Sequence, residues 1–300
     1  MRRQFNWTPF QIDKLSKVQQ ILTELEKYKP LTLRQIYYQM VSREYIENTK
    51  SQYVLLSGLL KHARLEDFIS WDDIEDRVRP FHDLRGDPGM DDFIDSELDI
   101  FLEGYRRDLL SGQEKRPEIW IEKDALAGIF TRAARAYTIP VVVCRGFTSI
   151  SVLNDYRLRI SSHENAVPVM LYFGDFDPSG VEMLEAMKET LRHEFGIEGI
   201  EFKRVALLKE DIEKYRLPHN PDAIKKKDTR SAKHVERFGE LAVELDALKP
   251  DVLTARIREA IEAELNIDVF NLEVKTWRVE LDKLSGLKKR VTAKMNEEKS

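Results

Sequence analysis

Between Gln11 and Tyr28 the apolar residues Ile12, Leu15, Val18, Ile21, Leu22 and Leu25 fall three and four apart, the spacing of one helix face. A second helix is predicted to open at Thr32. There Thr32-Leu33-Arg34-Gln35 has the form of a capping box, in which the threonine hydroxyl takes the Gln35 amide and the Gln35 side chain reaches back. A third helix is predicted from about Ser51 to Arg64, and Leu65–Trp71 leaves room for a short strand or wing. Three helices and a wing make a winged-helix pattern, and a plain helical bundle fits the same spacing. Residues 1–80 are therefore expected to form a small helical domain.

The pattern then breaks. Asp72 to about Glu103 is rich in Asp and Glu and is interrupted by Pro80, Gly86, Pro88 and Gly89, so residues 81–115 read as a solvated acidic linker. Asp91 to Arg107 is predicted to form a helix within it. From Arg116 onward short apolar runs alternate with helical stretches. The runs are Glu118–Lys123, Pro140–Cys144, Val167–Phe173 and Glu201–Leu207, and such alternation implies parallel strands joined by crossover helices. The helix after the third run is predicted to be capped by Ser179 with Glu182. A Pro- and Lys-rich stretch, Leu217 to Lys227, precedes helices that run to the C-terminus. The expected fold class is thus α/β, with a third region, 116–300, built on a parallel sheet and extended by helices.

Composition narrows the function classes only in part. A hydrophobic fraction of 42% belongs to a folded globular chain. No apolar run approaches the roughly 18 residues that span a bilayer, and the Met1–Trp7 segment lacks the features of a signal peptide. The single cysteine, Cys144, excludes an intramolecular disulfide or a cysteine-built zinc cluster, so a cytoplasmic, reducing compartment is expected. A net charge of −5 argues against a protein that coats nucleic-acid phosphates everywhere. It does not exclude a local basic groove, because bound divalent cations would offset carboxylates where DNA approaches.

Two predicted strand ends carry the chemistry. One reads Ile121-Glu122-Lys123-Asp124 and the other Phe173-Gly174-Asp175-Phe176-Asp177-Pro178-Ser179-Gly180. Ligands of parallel sheets collect at the carboxyl ends of strands. If the two strands are neighbours, Glu122, Asp175 and Asp177 meet at one rim, a donor set suited to Mg²⁺, with Mn²⁺ equally served. The i, i+2 spacing lets both aspartates point to one side of an extended segment. Gly174 and Gly180 leave room for a phosphate, and Asp124 reads as a helix cap. A lone Asp-x-Asp is more often a turn; the strand-terminal Glu122 at the matching position is what raises its weight.

Glu122 through Gly180 resembles a Toprim domain, the module shared by topoisomerases, primases and certain nucleases. The string Gly174-Asp175-Phe176-Asp177-Pro178-Ser179-Gly180 is similar to the Gly-Asp-x-Asp-Pro-x-Gly form of topoisomerase VI A subunits and the meiotic double-strand-break transesterase. The resemblance implies that Glu122, Asp175 and Asp177 hold the metal, and that Arg145-Gly146-Phe147 lies in a loop facing DNA. It covers about Leu31–Trp71 and Glu118–Leu265, including Val243-Glu244-Leu245-Asp246-Ala247-Leu248.

A tyrosine completes the motif set. In Thr32–Val41 the residues Leu33, Ile36, Tyr37, Met40 and Val41 form one apolar stripe, which makes Tyr37 a core residue. Tyr38 falls off that stripe and is expected on the surface, with Arg34 one turn before it. A guanidinium there would favour the phenolate and grip a phosphate. Read alone, the pair is ordinary surface decoration. Arg34-Gln35-Ile36-Tyr37-Tyr38 is nonetheless similar to the family's Arg-acidic-aliphatic-aromatic-Tyr motif, with Gln35 in the acidic position, and the second tyrosine matches the nucleophile.

The resemblance thus implies a winged-helix domain followed by a Toprim domain, and a type IIB topoisomerase A-subunit-like activity. Tyr38 would cleave double-stranded DNA by forming a 5′-phosphotyrosyl link, assisted by Arg34. Lys61, Arg64, Lys123 and Arg145 are candidate phosphate contacts. The rival expectations are a Toprim nuclease using water, and a DNA-binding homologue without turnover. A homodimer is implied, with the tyrosine of one chain facing the metal of the other. Because this chain contains no ATPase module, a separate ATPase B subunit is the partner the resemblance adds.

Overall fold

The computed structural model describes residues 5–75, 86, 88–146, 148–163, 165–220, 223–224 and 229–299. Helix α1 (Pro9–Glu24) starts earlier than the apolar spacing predicts, because Thr8 and Gln11 form a capping box and Pro9 occupies the first turn. It buries Leu15, Val18, Ile21 and Leu22, and a short 3₁₀ turn, Glu26–Tyr28, follows it. Strand β1 (Leu31–Thr32) leads into α2 (Leu33–Ser42), whose capping box pairs the Gln35 amide with Thr32 Oγ1 at 3.3 Å and the Thr32 amide with Gln35 Oε1 at 2.7 Å. Helix α3 (Lys50–Leu65) is capped by Thr49. The strand or wing expected at Leu65–Trp71 is absent among the described residues; Asp67 takes a left-handed turn there (φ 62°) and Ser70 caps the next one. The strand comes later, as β2 (Ile74–Glu75), paired in parallel with β1. The Pro80 boundary lies outside the described residues. Helix α4 (Met90–Ile100) is shorter than the expected Asp91–Arg107.

The sheet is parallel, as expected. Strands β3 (Lys115–Ile121), β4 (Val141–Val143), β5 (Val167–Phe173) and β6 (Glu201–Ala206) lie in the order β4-β3-β5-β6. Helices α5 (Ala127–Arg135), α6 (Ile150–Ser161) and α7 (Pro178–His193) make the crossovers. Trp120, Met170 and Tyr172 pack with Leu153 and Tyr156 of α6 and with Met183 and Met187 of α7. From the same strands, Phe173 meets Phe130 of α5 edge-on at 4.8 Å. Both faces of the central strands are therefore buried, which explains their near-continuous apolar runs. Full burial of each such side chain contributes about 1.5–3 kcal/mol. Helices α8 (Lys209–Tyr215), α9 (Thr229–Phe238) and α10 (Pro250–Glu262) complete this part, with α10 packed on α5. Of the Pro- and Lys-rich stretch, residues 221–222 and 225–227 lie outside the described residues.

The chain divides into two compact units. Residues 1–78 and 115–264 form the first, so the helical N-terminal segment and the parallel sheet belong together. Residues 79–114 and 265–300 form the second, which contains α4 and the long α11 (Ile267–Lys299). Within that second unit Arg107 reaches Glu273 at 2.5 Å and Glu280 at 2.7 Å, and Gln113 exchanges hydrogen bonds with the backbone of Asn266.

Candidate acidic active site

The condition set by the sequence is met: β3 and β5 are neighbours, with Ile121 opposite Phe173. The pairing continues one residue further, the Glu122 amide donating to Phe173 O at 3.0 Å. Glu122 Oε2 then accepts from the Asp175 amide at 2.9 Å, so the first carboxylate is held against the backbone of the second. Asp177 caps α7, its Oδ1 accepting from the Gly180 amide at 2.7 Å, with Pro178 at the first helical position. The cap is therefore Asp177 and not the expected Ser179 with Glu182. Only glycine fits at position 180, where a Cβ would collide with the Asp175 carbonyl and stand 2.9 Å from Glu122 Oε2. Arg204 of β6 ties this loop together, donating to the carbonyls of Gly180 at 2.8 Å, Leu207 at 3.0 Å, and Asp175.

Behind the rim lies a second acidic pair. Lys123 Nζ stands 2.8 Å from Asp175 Oδ2, 2.7 Å from Glu244 Oε2 and 2.8 Å from Asp246 Oδ2. The Leu245 amide donates to Asp175 Oδ1 at 2.8 Å, and a two-bond bridge between Phe176 and Val243 fixes this segment beside the Asp-x-Asp turn. Glu244 and Asp246 were not singled out as site residues from sequence, although their Glu-x-Asp spacing repeats that of Asp175 and Asp177. Arg204 was missed as well; its only signal was a charge in the middle of a strand. Lys123, expected to contact DNA phosphate, is instead enclosed by three carboxylates.

The tyrosine helix reaches this cluster directly. Arg34 pairs with Glu244 and lies 3.4 Å from Asp246, and α2 packs on the 3₁₀ turn Leu245–Ala247. The helical N-terminal segment and the sheet of one chain therefore meet here, within one compact unit. Tyr37 is a core residue as expected, its hydroxyl bonded to Asn48 Oδ1 at 3.0 Å and Thr49 O at 3.1 Å.

Tyr38 is not on the surface: it is 3% exposed. Helix α2 is covered by α1 as well as by the Leu245–Ala247 turn, so Gln35 through Val41 are all buried. The Arg34 guanidinium stands 5.9 Å from the Tyr38 ring centroid, but burial prevails over it, and Asp246 and Asp175 add to the effect, holding the phenol above its ordinary pKa. The expected stabilisation of the phenolate by Arg34 does not dominate, because that charge is shared with Glu244 and Asp246. Tyr38 lines a pocket of about 210 Å³ with Arg34, Tyr53, Asn220 and Glu244.

The remaining cations border two recesses. Lys61 and Arg64 of α3 line a groove of about 490 Å³ that also takes in Arg34 and Asp124. Arg64 lies 4.3 Å from the Trp71 ring centroid. A shallower recess of about 310 Å³ is bordered by Glu122, Arg34, Lys123, Arg145 and Gly146. Arg145 is 73% exposed and 3.1 Å from Asp124, which opens a 3₁₀ turn rather than capping a helix. Phe147 lies outside the described residues.

The donor set fits a hard divalent cation in its chemistry. All three donors are carboxylates, and burial, then Asp175 and Asp177, push Glu122 up to about 7. Glu122 Oε1 and Asp177 Oδ2 accept no hydrogen bond among the described residues, whereas both oxygens of Asp175 are engaged. Among the described residues no three His, Cys, Asp or Glu side chains stand as a ready-made metal cage. A cation here would keep several of its waters, which is the habit of Mg²⁺.

No family model matches this chain, and no curated protein sequence matches it. Among the described residues no helix is long and apolar enough to cross a membrane.

Proposed function

We propose that the chain is a divalent-metal-dependent DNA-cleaving enzyme of the topoisomerase A-subunit kind, pairing a winged-helix-like segment with a Toprim-like sheet. The observation that carries this reading is the reach of Arg34 from the tyrosine helix to Glu244 and Asp246, which share Lys123 with Asp175. The candidate nucleophile and the acidic rim thus belong to one connected set of charges.

In this reading Glu122 and Asp177, with Asp175 behind them, hold Mg²⁺ or Mn²⁺, which when bound stabilises charge on the transferring phosphate. Lys61, Arg64 and Arg145 steady the DNA backbone. Tyr38 Oη attacks a phosphorus atom as its proton passes to water in the pocket. The Tyr38–phosphorus bond forms, the bond to the 3′ oxygen breaks, and that oxygen takes up a proton and leaves as a hydroxyl. Because Tyr38 is 3% exposed, the pocket wall around Asn48 and Tyr53 must open before DNA reaches it. Two strands need two nucleophiles, so the working unit is a homodimer on duplex DNA. A cytoplasmic setting and a separate ATPase B subunit belong to the same reading.

The burial of Tyr38 favours a second reading, in which water is the nucleophile and the rim acts as a hydrolytic nuclease. End-labelled duplex incubated with protein and Mg²⁺, then denatured, separates the two. Protein-linked DNA supports transesterification, free cut ends support hydrolysis, and intact DNA points to a homologue that binds without cutting.

A further inference from the structure

The second unit offers a surface that its own chain leaves open. Helix α4 buries none of its residues. Met90, Phe93 and Ile100 fall on one side of the helix and are 74%, 46% and 60% exposed, with Glu97 among them. The helix carries five acidic residues and no Lys or Arg.

Helix α11 has the opposite character on one side. Glu273 and Glu280 are held by Arg107 and Tyr105 of the same unit. About a third of a turn away, Leu272 and Val279 are 61% and 54% exposed, and Gly286 and Ala293 continue that stripe at the same seven-residue interval. Lys283 and Arg290 stand in it, and residues 283–294 carry five basic residues and no Asp or Glu. Within one chain, Lys288 reaches Glu103 at 2.7 Å and donates to the Asp99 carbonyl near the end of α4, and leaves the apolar side of α4 exposed.

We propose that these two faces meet between two copies of this chain, the acidic α4 of one lying along the basic half of α11 of the other. Two-fold symmetry then repeats the contact. A second copy is the fitting occupant because each copy offers both an acidic and a basic apolar face, so the pair satisfies both at once. The inference is independent of the chemistry at Glu122 and Tyr38, since it is tested without DNA or metal.

The test is the solution mass of the full chain, with helix content checked by circular dichroism. The wild type is expected to be a dimer. Glu97→Lys and Lys283→Glu/Arg290→Glu should each raise the dissociation constant at least about tenfold, since like charges would face each other. An equimolar mixture of the two variants should restore the dimer, because each then offers the other opposite charges at both contacts. Phe93→Ser, which alters no charge, should also weaken it. A wild-type chain that is monomeric at about 100 µM overturns the proposal. So does a dimer that the variants leave intact, or a mixture that stays monomeric.

Discussion

Lys123 Nζ stands 2.8 Å from Asp175 Oδ2, and the same ammonium holds Glu244 and Asp246. One cation thus keeps three carboxylates together at the end of a parallel sheet. Removing it leaves those carboxylates facing each other in a largely dry site. Lys123→Met is expected to cost about 3 kcal/mol of stability, the scale for breaking a buried ion pair. Denaturant melts should show that loss, and Mg²⁺ should recover part of it. An unchanged melt would show that Lys123 does not organise the cluster.

Glu122→Gln keeps the shape and the acceptor for the Asp175 amide while removing one negative charge. Metal affinity is expected to fall at least about tenfold, read by calorimetric titration with Mn²⁺ and Mg²⁺. Asp177→Asn should act in the same direction. Asp175→Ala should weaken metal binding and also destabilise the fold, because it strips Lys123 and the Leu245 amide of a partner. Equal affinities in wild type and Glu122→Gln would remove the metal assignment.

The two tyrosines differ in what their hydroxyls touch. Tyr37→Phe loses the bonds to Asn48 and Thr49 and should cost about 1 kcal/mol. The Tyr38 hydroxyl makes no hydrogen bond among the described residues, so Tyr38→Phe should change stability by less than about 0.5 kcal/mol. Thermal melts of both variants measure the contrast; a larger loss in Tyr38→Phe would reverse the two roles.

Arg34 pairs with Glu244 and Asp246 of its own chain, so each site is expected to be complete within one chain. Mixing Tyr38→Phe with Glu122→Ala protein, under conditions of demonstrated subunit exchange, should restore no cleavage. Recovery in the mixed dimer would return the shared arrangement that the family resemblance implies.

Much of the sheet was legible because β-branched and aromatic runs alternate with helical stretches, and the neighbouring of β3 and β5 put Glu122 beside Asp175 as the motif spacing required. Local capping rules located α2 through Thr32 and Gln35. They failed at α7, where Asp177, Ser179 and Glu182 compete and the residue before Pro178 takes the cap. Tyr38 was misplaced for a different reason. Periodicity describes one buried face, and α2 is covered on two, by α1 and by residues 245–247 more than two hundred positions away. No local pattern carries that contact. Lys123 was misread likewise, since its carboxylate partners Glu244 and Asp246 lie 121 and 123 positions further along the chain.

The most direct measurement locates the covalent link itself. Wild type, Tyr37→Phe and Tyr38→Phe are incubated with end-labelled duplex and Mg²⁺, denatured, and the DNA-linked peptide is identified by mass spectrometry. The account predicts a 5′-phosphate on Tyr38, adduct retained in Tyr37→Phe and lost in Tyr38→Phe. A link to another residue, or cleavage with free ends that persists in Tyr38→Phe, would contradict it.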